Sequence, residues 1–301
     1  MLKYLKIKIN NIVTKVSVQI NLLLKKIFPI KNVYNVDETI DFLLKTKSSI
    51  SRLGDGEFHL IFGRSSLGFQ KNSLELQQSL KKILKNDVKG LIVAIPHNII
   101  YMDDLLPYSF DFWRHFYGTL YYKLYPILVK NKFYADTGLS RLYMGYKDKN
   151  NPKIAERFAK VRLLWEGQNI IIVEGTDSKL GTINNFFANS ASLKRIICPS
   201  KNAFEKIETI EKEIVNNYNK DDIIILALGP TATVLAYNLA QKGIRSLDLG
   251  HIDVEYEWFK MKATDKVPIK GKILNEVVNT QSNSESFKNI EYENSIIITL
   301  T

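Results

Sequence analysis

The segment IIILALGPTATVLAYNLAQKG, residues 223–243, joins an apolar run, a Gly-Pro-Thr turn and a helical pattern. Its first six residues are apolar without alternation, which is typical of a strand covered on both faces of a sheet. The part from Thr231 onward has helical periodicity and ends at Gly243, a common C-terminal stop of helices. A strand, a turn and a helix in this order predict one βα unit of a mostly parallel sheet.

Six more short apolar runs occur along the chain, and helical patterns separate several of them. These runs are ISRL at 50–53, LIVAI at 91–95, IIIV at 170–173, RIIC at 195–198, SLDL at 246–249 and SIIITL at 295–300. The aromatic-rich middle, residues 101–168, has no clear strand, and we expect it to form a helical insertion or cap over the sheet. The predicted fold is therefore α/β and Rossmann-like, a mostly parallel sheet with helices on both faces.

The charge of the chain is concentrated near its amino terminus. The 301 residues carry a formal net charge of +11 at pH 7. Residues 1–36 contain seven lysines and no acid, so the remaining residues contribute only 42 − 7 − 31 = +4. This mildly basic body argues against a nucleic-acid-binding protein. The single cysteine, Cys198, excludes an intramolecular disulfide and a cysteine-rich zinc site, and it fits a reducing compartment such as the cytoplasm.

The leader, residues 1–35, mixes lysine with leucine, isoleucine and valine. It has no uninterrupted apolar stretch of about 18 residues and no small-residue cleavage site, so neither a spanning helix nor a signal peptide is predicted. One hypothesis places residues 1–31 along an anionic membrane surface, which would make the protein peripheral at the inner face of the membrane. The alternative is a leader helix that packs on its own domain, or a poorly ordered end.

Ligands of open parallel sheets bind beyond the carboxyl ends of the strands, so the residues after each apolar run are the candidate site. Four such ends combine glycine with polar or acidic residues. They are Gly54-Asp55-Gly56-Glu57, Glu174-Gly175-Thr176-Asp177-Ser178-Lys179, Gly229-Pro230-Thr231, and the segment 250–257. We expect these four loops to meet at one rim of the sheet.

Two of the loops have a clear chemical interpretation and a plainer structural one. Asp55 and Glu57 lie one residue apart, and two such acids can bind one hard divalent cation through oxygen. The alternative is a turn with two solvated acids. Gly229 and Thr231 open a helix whose free amides can hold a phosphate, although the same residues also suit an ordinary helix cap.

The other two loops are less specific. The loop that begins at Glu174 has the flexibility of an anion-holding loop, with Lys179 as a point charge, but loops of this kind often bind nothing. The loop after SLDL carries one histidine and three acids: His251, Asp253, Glu255 and Glu257. Such a group can supply a metal ligand, a sugar-hydroxyl contact or a general base. A lone loop histidine is more often structural, but three neighbouring acids repel one another unless a cation or a substrate relieves them.

Several familiar catalytic motifs are missing from the sequence. It contains no G-x-G-x-x-G after a strand, no G-x-x-x-x-G-K-[ST], no G-x-S-x-G and no H-E-x-x-H. Their absence argues against ordinary dinucleotide reductases, P-loop NTPases, serine hydrolases and zincins.

Four ordered sequence blocks resemble the bacterial GT-D family of glycosyltransferases. They are RLGDGE, VEG with SKLG and NNFFANSASLKRIICPSKNAF, LALGPTATVLAYNLAQKG, and LDLGHIDVEYEW. The resemblance covers roughly residues 36–280, and it implies a Rossmann-like fold of the GT-D type. It divides the chain into the leader 1–35, a GT-D-like domain 36–280, and a C-terminal segment 281–301 that contains a final strand.

The resemblance also implies a nucleotide-sugar donor such as UDP-glucose and a divalent metal, Mn²⁺ or Mg²⁺, at the acid-x-acid motif. By position, Asp55 and Glu57 match that motif. Glu257 matches a proposed catalytic base, and Asp253 is the alternative. Lys179 stands where arginine is expected in many members, so the position keeps its charge but loses the bidentate fork of a guanidinium group.

Residues and resemblance together predict a metal-dependent glycosyltransferase that moves glucose or a similar hexose from a UDP-sugar to a glycan or glycoprotein acceptor. The residues expected to contact the donor are Arg52, Glu174, Gly175, Lys179, Gly229, Thr231 and His251. A second hypothesis is a different metal-dependent enzyme, such as a hydrolase of nucleotide sugars or phosphate esters. A third is a non-catalytic module that docks on a membrane or a nucleic acid.

Overall fold

The computed structural model describes residues 2–63, 66–269, 272 and 289–300, with side chains from residue 15 onward. Its strands are β1 (Ser49–Arg52), β2 (Leu91–Ile95), β3 (Ala135–Asp136), β4 (Asn169–Gly175), β5 (Ser192–Cys198), β6 (Ile223–Ala227), β7 (Ser246–Asp248) and β8 (Ile296–Thr299). They form one sheet in the order β3-β2-β1-β7-β6-β4-β5-β8, and every neighbouring pair is parallel. The predicted α/β class and parallel sheet are confirmed.

Helices cover both faces of this sheet, as predicted. They are α1 (Leu2–Ile27), α2 (Val36–Thr46), α3 (Asp55–Ile61), α4 (Leu74–Lys85), α5 (Pro107–Leu124), α6 (Pro152–Arg162), α7 (Ile207–Asn217), α8 (Pro230–Gln241), α9 (Ile252–Lys260) and α10 (Ile290–Ser295). The unalternating strand sequences follow from this layering, because residues on both sides of each strand need an apolar partner. In β4, Ile170 and Ile172 pack into the core beneath α6 and α9, whereas Ile171 and Val173 pack on the opposite face against α7 and α8.

All seven predicted strands are present, but the expectation of a strand-free middle segment is wrong. Within residues 101–168, Ala135 and Asp136 form β3 and pair with Ala94 and Ile95 of β2. Two residues are too few to give a periodic pattern, and their pairing depends on the neighbouring strand. The rest of the segment is helical in its α5 and α6 portions.

The final strand extends the main sheet. β8 pairs in parallel with β5, and the register places Ile296 beside Arg195 and Thr299 beside Ile197. The predicted boundary between residues 280 and 281 lies outside the described residues.

The leader forms α1 and packs along α5. The Asn21 side-chain oxygen accepts a hydrogen bond from the Tyr122 backbone N–H at 2.8 Å. The Lys25 ammonium lies 5.1 Å from the centre of the Tyr117 ring. The leader is therefore a helix packed on its own domain. Among the helices that the structure describes, none is long and apolar enough to cross a bilayer.

Close packing of α1 on α5 depends on Gly118. A Cβ atom at this position would lie 2.7 Å from Cγ1 of Val18, well inside van der Waals contact. We expect Gly118→Ala to lower the free energy of unfolding by about 1–2 kcal/mol, because a methyl group forced into a packed contact shifts its neighbours. Urea unfolding measures the change.

Val18→Ala is the matched background for this substitution, since it removes the methyl group that the new Cβ meets. In that background Gly118→Ala should lower the free energy of unfolding much less, because only the Cβ of residue 18, at 3.3 Å, then stays close to the new methyl group and alanine favours a helix over glycine. The same destabilisation in both backgrounds would contradict the close approach of the two helices.

Candidate active site

The sheet order places the four predicted loops side by side. Strands β1, β7, β6 and β4 are consecutive neighbours and run in one direction, so their carboxyl ends lie along one edge. The loops that begin at Gly54, Gly250, Gly229 and Thr176 therefore follow one another along this rim. Sites of parallel sheets form at such a position.

A buried ion pair joins the ends of β1 and β7. Arg52 Nη2 lies 2.8 Å from Oδ1 of Asp248, and the Arg52 backbone N–H donates to Oδ2 of the same carboxylate at 3.1 Å. The Arg52 guanidinium also donates to the Ser140 hydroxyl group. The Asp248 side chain is 3% exposed, and the Arg52 side chain is 17% exposed. Most of the Arg52 side chain therefore serves to hold the strand ends of the rim together, and only a small part of its surface is open to a ligand.

Helix α8 is tied to the same corner. The Thr233 hydroxyl group donates to the Arg52 carbonyl oxygen at 2.8 Å and lies 3.4 Å from the Asp248 carboxylate. Burial raises the pKa of Asp248, whereas Arg52 and these hydrogen bonds lower it. The loop after β7 approaches the Arg52 guanidinium so closely that position 250 must be glycine. A Cβ atom on Gly250 (φ +52°) would lie 2.8 Å from Arg52 Nη2.

Asp55 and Glu57 lie in the first turn of α3. Oε2 of Glu57 accepts a hydrogen bond from the Gly54 backbone N–H at 2.8 Å, which is the glutamate half of a capping box. Asp55 is half-buried. Within the part of the chain that the structure describes, no hydrogen bond or ion pair holds the Asp55 carboxylate. Glu57 therefore has a structural role of its own, while Asp55 keeps its carboxylate available.

The electrostatic environment of this turn is acidic. Burial, helped by the negative charges of Asp248 and Asp55 and opposed by the hydrogen bond from Gly54, raises the pKa of Glu57 to about 7. A carboxyl group with such a pKa is a weakly stabilised anion that a nearby cation would stabilise.

The residues present fit a divalent cation that is only partly held by protein. Across the described ranges, no group of three or more His, Cys, Asp or Glu side chains could hold a metal ion by itself. One or two carboxylates, completed by water and substrate phosphate oxygens, are the usual ligands of Mg²⁺ in phosphate-binding enzymes. Asp55 and the second oxygen of Glu57 are suitable donors for such a cation.

The segment 66–70 bridges the starts of α3 and α8. A Cβ atom on Gly56 would lie 3.2 Å from Cδ1 of Leu67, and one on Gly229 would lie 2.5 Å from the Phe69 ring. Gly229 also has φ +54° and ψ −137°, a conformation that favours glycine. The bridge fixes the acidic turn relative to the first turn of α8, and nothing in the two predicted motifs had indicated it.

Thr231 is fully buried in the first turn of α8. Its hydroxyl group lies 3.4 Å from the side-chain oxygen of Gln70, and its backbone N–H donates to the Leu228 carbonyl. Gly229, by contrast, is exposed. A ligand at this end of α8 would therefore meet the backbone around Gly229 before the Thr231 hydroxyl group.

The loop after β4 is held by a buried acid. Glu174 is fully buried, and its Oε1 lies 2.6 Å from Nη1 of Arg195 while Oε2 accepts from the Leu180 backbone N–H. Burial raises the pKa of Glu174, and the Arg195 charge lowers it. Gly175 packs closely on Ser200, whose Cα would lie 3.1 Å from a Cβ at position 175.

The loop after β4 also carries Lys179, which is half-buried and adopts a left-handed backbone conformation with φ +43°. Next to it, the Gly181 backbone N–H donates to Oδ2 of Asp253 at 2.8 Å. Asp253 is fully buried and also pairs with the Lys272 ammonium, whose side chain is likewise fully buried. The loop after β4 and helix α9 are thereby joined.

A second buried acid of α9 holds another segment. Oε2 of Glu255 accepts hydrogen bonds from the backbone N–H groups of Tyr143 and Met144 at 2.9 and 2.8 Å. Glu257, on the following turn of the helix, is 18% exposed, and its Oε2 lies 3.7 Å from the Lys260 ammonium. His251 is half-buried directly before α9. Of Asp253, Glu255 and Glu257, only Glu257 has a partly exposed side chain, although its Oε2 is buried and accepts no hydrogen bond within the described residues.

The geometry and the sequence lead to the same family. The sequence matches the glycosyltransferase family with the GT-D fold over residues 50–277. This chain belongs to the GT-D family. The resemblance noted from the four sequence blocks is therefore confirmed.

Two curated relatives support this membership. The GT-D chain is 37% identical over 251 residues to the glycosyltransferase GlyD of Streptococcus pneumoniae serotype 4 and covers 30% of that protein. It is 37% identical over 243 residues to the probable glycosyl transferase Gly of Streptococcus gordonii and covers 35% of it. These alignments include 83% and 80% of the chain. The chain thus spans about a third of the length of these two relatives.

Solved structures show the same fold. One is described as the highly conserved domain of unknown function 1792 with a distinct glycosyltransferase fold; it superposes with a TM-score of 0.87 at 32% identity, over 93% of this chain and 100% of that one. Another, a glycosyltransferase of the same domain type from Streptococcus sanguinis, superposes with a TM-score of 0.84 at 34% identity, over 90% and 99% of the two chains.

The predicted site residues of the GT-D chain fall into two groups. The first group is buried and holds loops together; its members are Glu174, Gly175, Thr231 and Asp253, with Arg52 mostly buried beside them. The second group keeps exposed surface at the rim; its members are Asp55, Glu57, Lys179, Gly229, His251 and Glu257. Sequence reasoning missed Asp248, although an acid inside the apolar run SLDL is a signal that could have identified it.

The scaffold role of Arg52 is testable by unfolding. We expect Arg52→Ala to lower the free energy of unfolding by about 3–5 kcal/mol, because it leaves the Asp248 carboxylate buried without a counter-charge. In an Asp248→Asn background the same substitution should lower the free energy of unfolding much less, since no buried carboxylate is then left without a counter-charge. Arg114→Ala, which removes an exposed arginine, is the control. Equal losses in both backgrounds, measured by urea unfolding, would refute the ion pair as a stabilising contact.

Proposed function

We propose that this GT-D chain transfers a hexose, glucose or a similar sugar, from a UDP-sugar to a hydroxyl group of a glycan or glycoprotein. Family membership supports the reaction class. The observation that carries the site assignment is the adjacency of β1, β7 and β6, which brings the acidic turn, the α9 acid and the start of α8 to one rim. Such a transfer must stabilise a departing diphosphate and remove a proton from the acceptor.

The diphosphate end of the donor is assigned to the rim between α3 and α8. Asp55 and Glu57 would hold Mn²⁺ or Mg²⁺ there, and a bound cation supplies positive charge for the leaving diphosphate. The exposed backbone at Gly229 adds the positive end of α8, twelve residues long, to the same region. Lys179 contributes a further positive charge from the neighbouring loop.

Glu257 is the better candidate for the general base. Its side chain is 18% exposed, and its buried Oε2 has no hydrogen-bond partner within the described residues, so the carboxylate has an oxygen left for an acceptor hydroxyl group. Asp253, the alternative, is fully buried: Gly181 and Lys272 contact its Oδ2, and its Oδ1 is also buried, so an acceptor hydroxyl group cannot approach it. We therefore assign Asp253, together with Glu174, to positioning the loops that surround the donor.

We place this chain in the cytoplasm, because its single cysteine, Cys198, is a buried free thiol and a reducing compartment is where such thiols are usual.

A different metal-dependent enzyme, such as a hydrolase of nucleotide sugars or phosphate esters, would consume the donor without transferring sugar. A donor screen with manganese, which reads nucleoside diphosphate release with and without acceptor glycans, separates hydrolysis from transfer.

The role of Asp55 predicts a specific loss of rate. We expect Asp55→Asn to lower kcat/KM for sugar transfer in the presence of manganese by about 100-fold or more, because the charge it supports grows in the transition state. Asp103→Asn removes an exposed acid and is the control for the loss of one negative charge. Near-normal turnover of Asp55→Asn would exclude the assignment.

Ligand binding predicts a gain of stability that does not depend on finding the acceptor. In the presence of manganese, UDP at a concentration 100 times the dissociation constant of UDP should raise the free energy of unfolding by about 2.7 kcal/mol. Glu57→Gln, which keeps an acceptor for the Gly54 N–H, should lose the manganese-dependent part of this gain. A melting temperature that does not respond to manganese and UDP would instead favour a non-catalytic docking module.

A further inference from the structure

The outward face of α1 carries an apolar stripe. Four of its side chains are more than half exposed: Val16 at 53%, Ile20 at 52%, Leu23 at 56% and Ile27 at 57%. Their spacing of four, three and four residues places them in one row along the helix. We call these four residues the outer stripe.

The outer stripe lies on the side of α1 that faces away from α5. The contacts with α5 are made by Val18, Asn21 and Lys25, which are spaced three and four residues apart and lie about half a turn around the helix from the stripe. A helix on a protein surface normally has a polar outward face. Packing within the domain therefore does not account for the outer stripe.

The same spacing continues toward the amino terminus of the sequence. Leu2, Leu5, Ile9 and Ile12 precede Val16 at intervals of three or four residues. Helix α1 is 26 residues long, which corresponds to a length of roughly 39 Å. At its other end, Phe28 is 47% exposed.

The charge beside the stripe has one sign. Residues 1–36 contain seven lysines and no acid. Lys15 and Lys26 are exposed and directly precede Val16 and Ile27, members of the outer stripe. The face thus combines apolar side chains with positive charge: Lys15 shares a cavity with Asp111 of α5, and Lys26 forms no ion pair within the described residues.

This charge pattern distinguishes between two possible occupants. A second copy of α1 packed on the stripe would bring two lysine-bearing helices together with no acids to offset the repulsion. An anionic lipid surface, in contrast, attracts each lysine and accepts the apolar row at the boundary between headgroups and acyl chains. The helix is too polar to cross a bilayer, so it would lie in the plane of the membrane surface.

We propose that the outer stripe of α1 docks this protein on anionic membranes. The stripe enters the headgroup boundary, and Lys15 and Lys26 contact the lipid phosphates. The α5-facing side of the helix stays packed on the domain, so docking needs no rearrangement of the fold. Docking of this kind requires neither the donor, nor the acceptor, nor the metal.

Co-sedimentation of the full chain with vesicles tests the proposal. Binding should be strong to vesicles of phosphatidylcholine with phosphatidylglycerol and much weaker to phosphatidylcholine alone. The double variant Leu23→Gln/Ile27→Gln should weaken binding by about tenfold or more, because two buried apolar side chains are lost from the interface. Lys15→Gln/Lys26→Gln should weaken it by about fivefold per lysine on the anionic vesicles only.

Leu74→Gln/Val215→Gln is the matched control, since it removes two exposed apolar side chains from α4 and α7. It should bind vesicles as the unchanged chain does, and all variants should keep the same melting temperature. Absence of binding to anionic vesicles, or equal binding by the stripe variant and the control, would overturn the proposal. So would a dimer of the unchanged chain that becomes a monomer on Leu23→Gln/Ile27→Gln without any vesicle binding.

Discussion

The ion pair between Arg52 and Asp248 is the contact on which the arrangement of the rim depends. It joins the carboxyl ends of β1 and β7, and through Thr233 it includes the start of α8. A buried carboxylate is costly unless a counter-charge and hydrogen bonds satisfy it, and Asp248 has both. Any displacement of one of these elements would separate charges in a poorly solvated region. The three loops that follow are therefore held in a fixed relative position.

The same principle recurs around the rim with other acids. Glu174 holds the loop after β4 through the Leu180 backbone N–H and pairs with Arg195 of β5. Asp253 connects that loop to α9, and Glu255 holds the backbone at Tyr143. Each of these carboxylates is buried and accepts from charged or backbone donors, although at Asp253 both donors contact Oδ2 and the buried Oδ1 has no hydrogen-bond partner within the described residues. The acids that keep exposed surface, Asp55 and Glu257, stand on elements that the buried acids position. A site built in this way has its charges in place before a ligand arrives.

Helix α1 relates to this scaffold differently from the other helices. Its contacts with α5 depend on a glycine and on Asn21, which is buried against the Tyr122 backbone. Its other side presents four apolar side chains that are more than half exposed. The helix thus packs on the domain on one side and presents an apolar surface on the other, and the proposed membrane contact concerns only that second side.

The sequence by itself determined the fold class, because unalternating apolar runs such as those of β4 and β6 form strands only where both faces of a sheet are covered. It also located the strand ends where Asp55, Gly229 and Glu257 lie, because glycine and acids interrupt an apolar pattern abruptly. It did not reveal β3, which consists of two residues and depends on pairing with β2.

Only the tertiary structure decided which acids are scaffold and which are open. Asp253 and Glu257 are four residues apart and look equivalent in the sequence, yet Lys272 and the Gly181 amide bury one of them. The partners of Asp248 and Thr231 lie on segments distant in the chain, Arg52 and Gln70. Burial and pairing are properties of neighbours in space, and the order of residues along one strand or helix does not contain them.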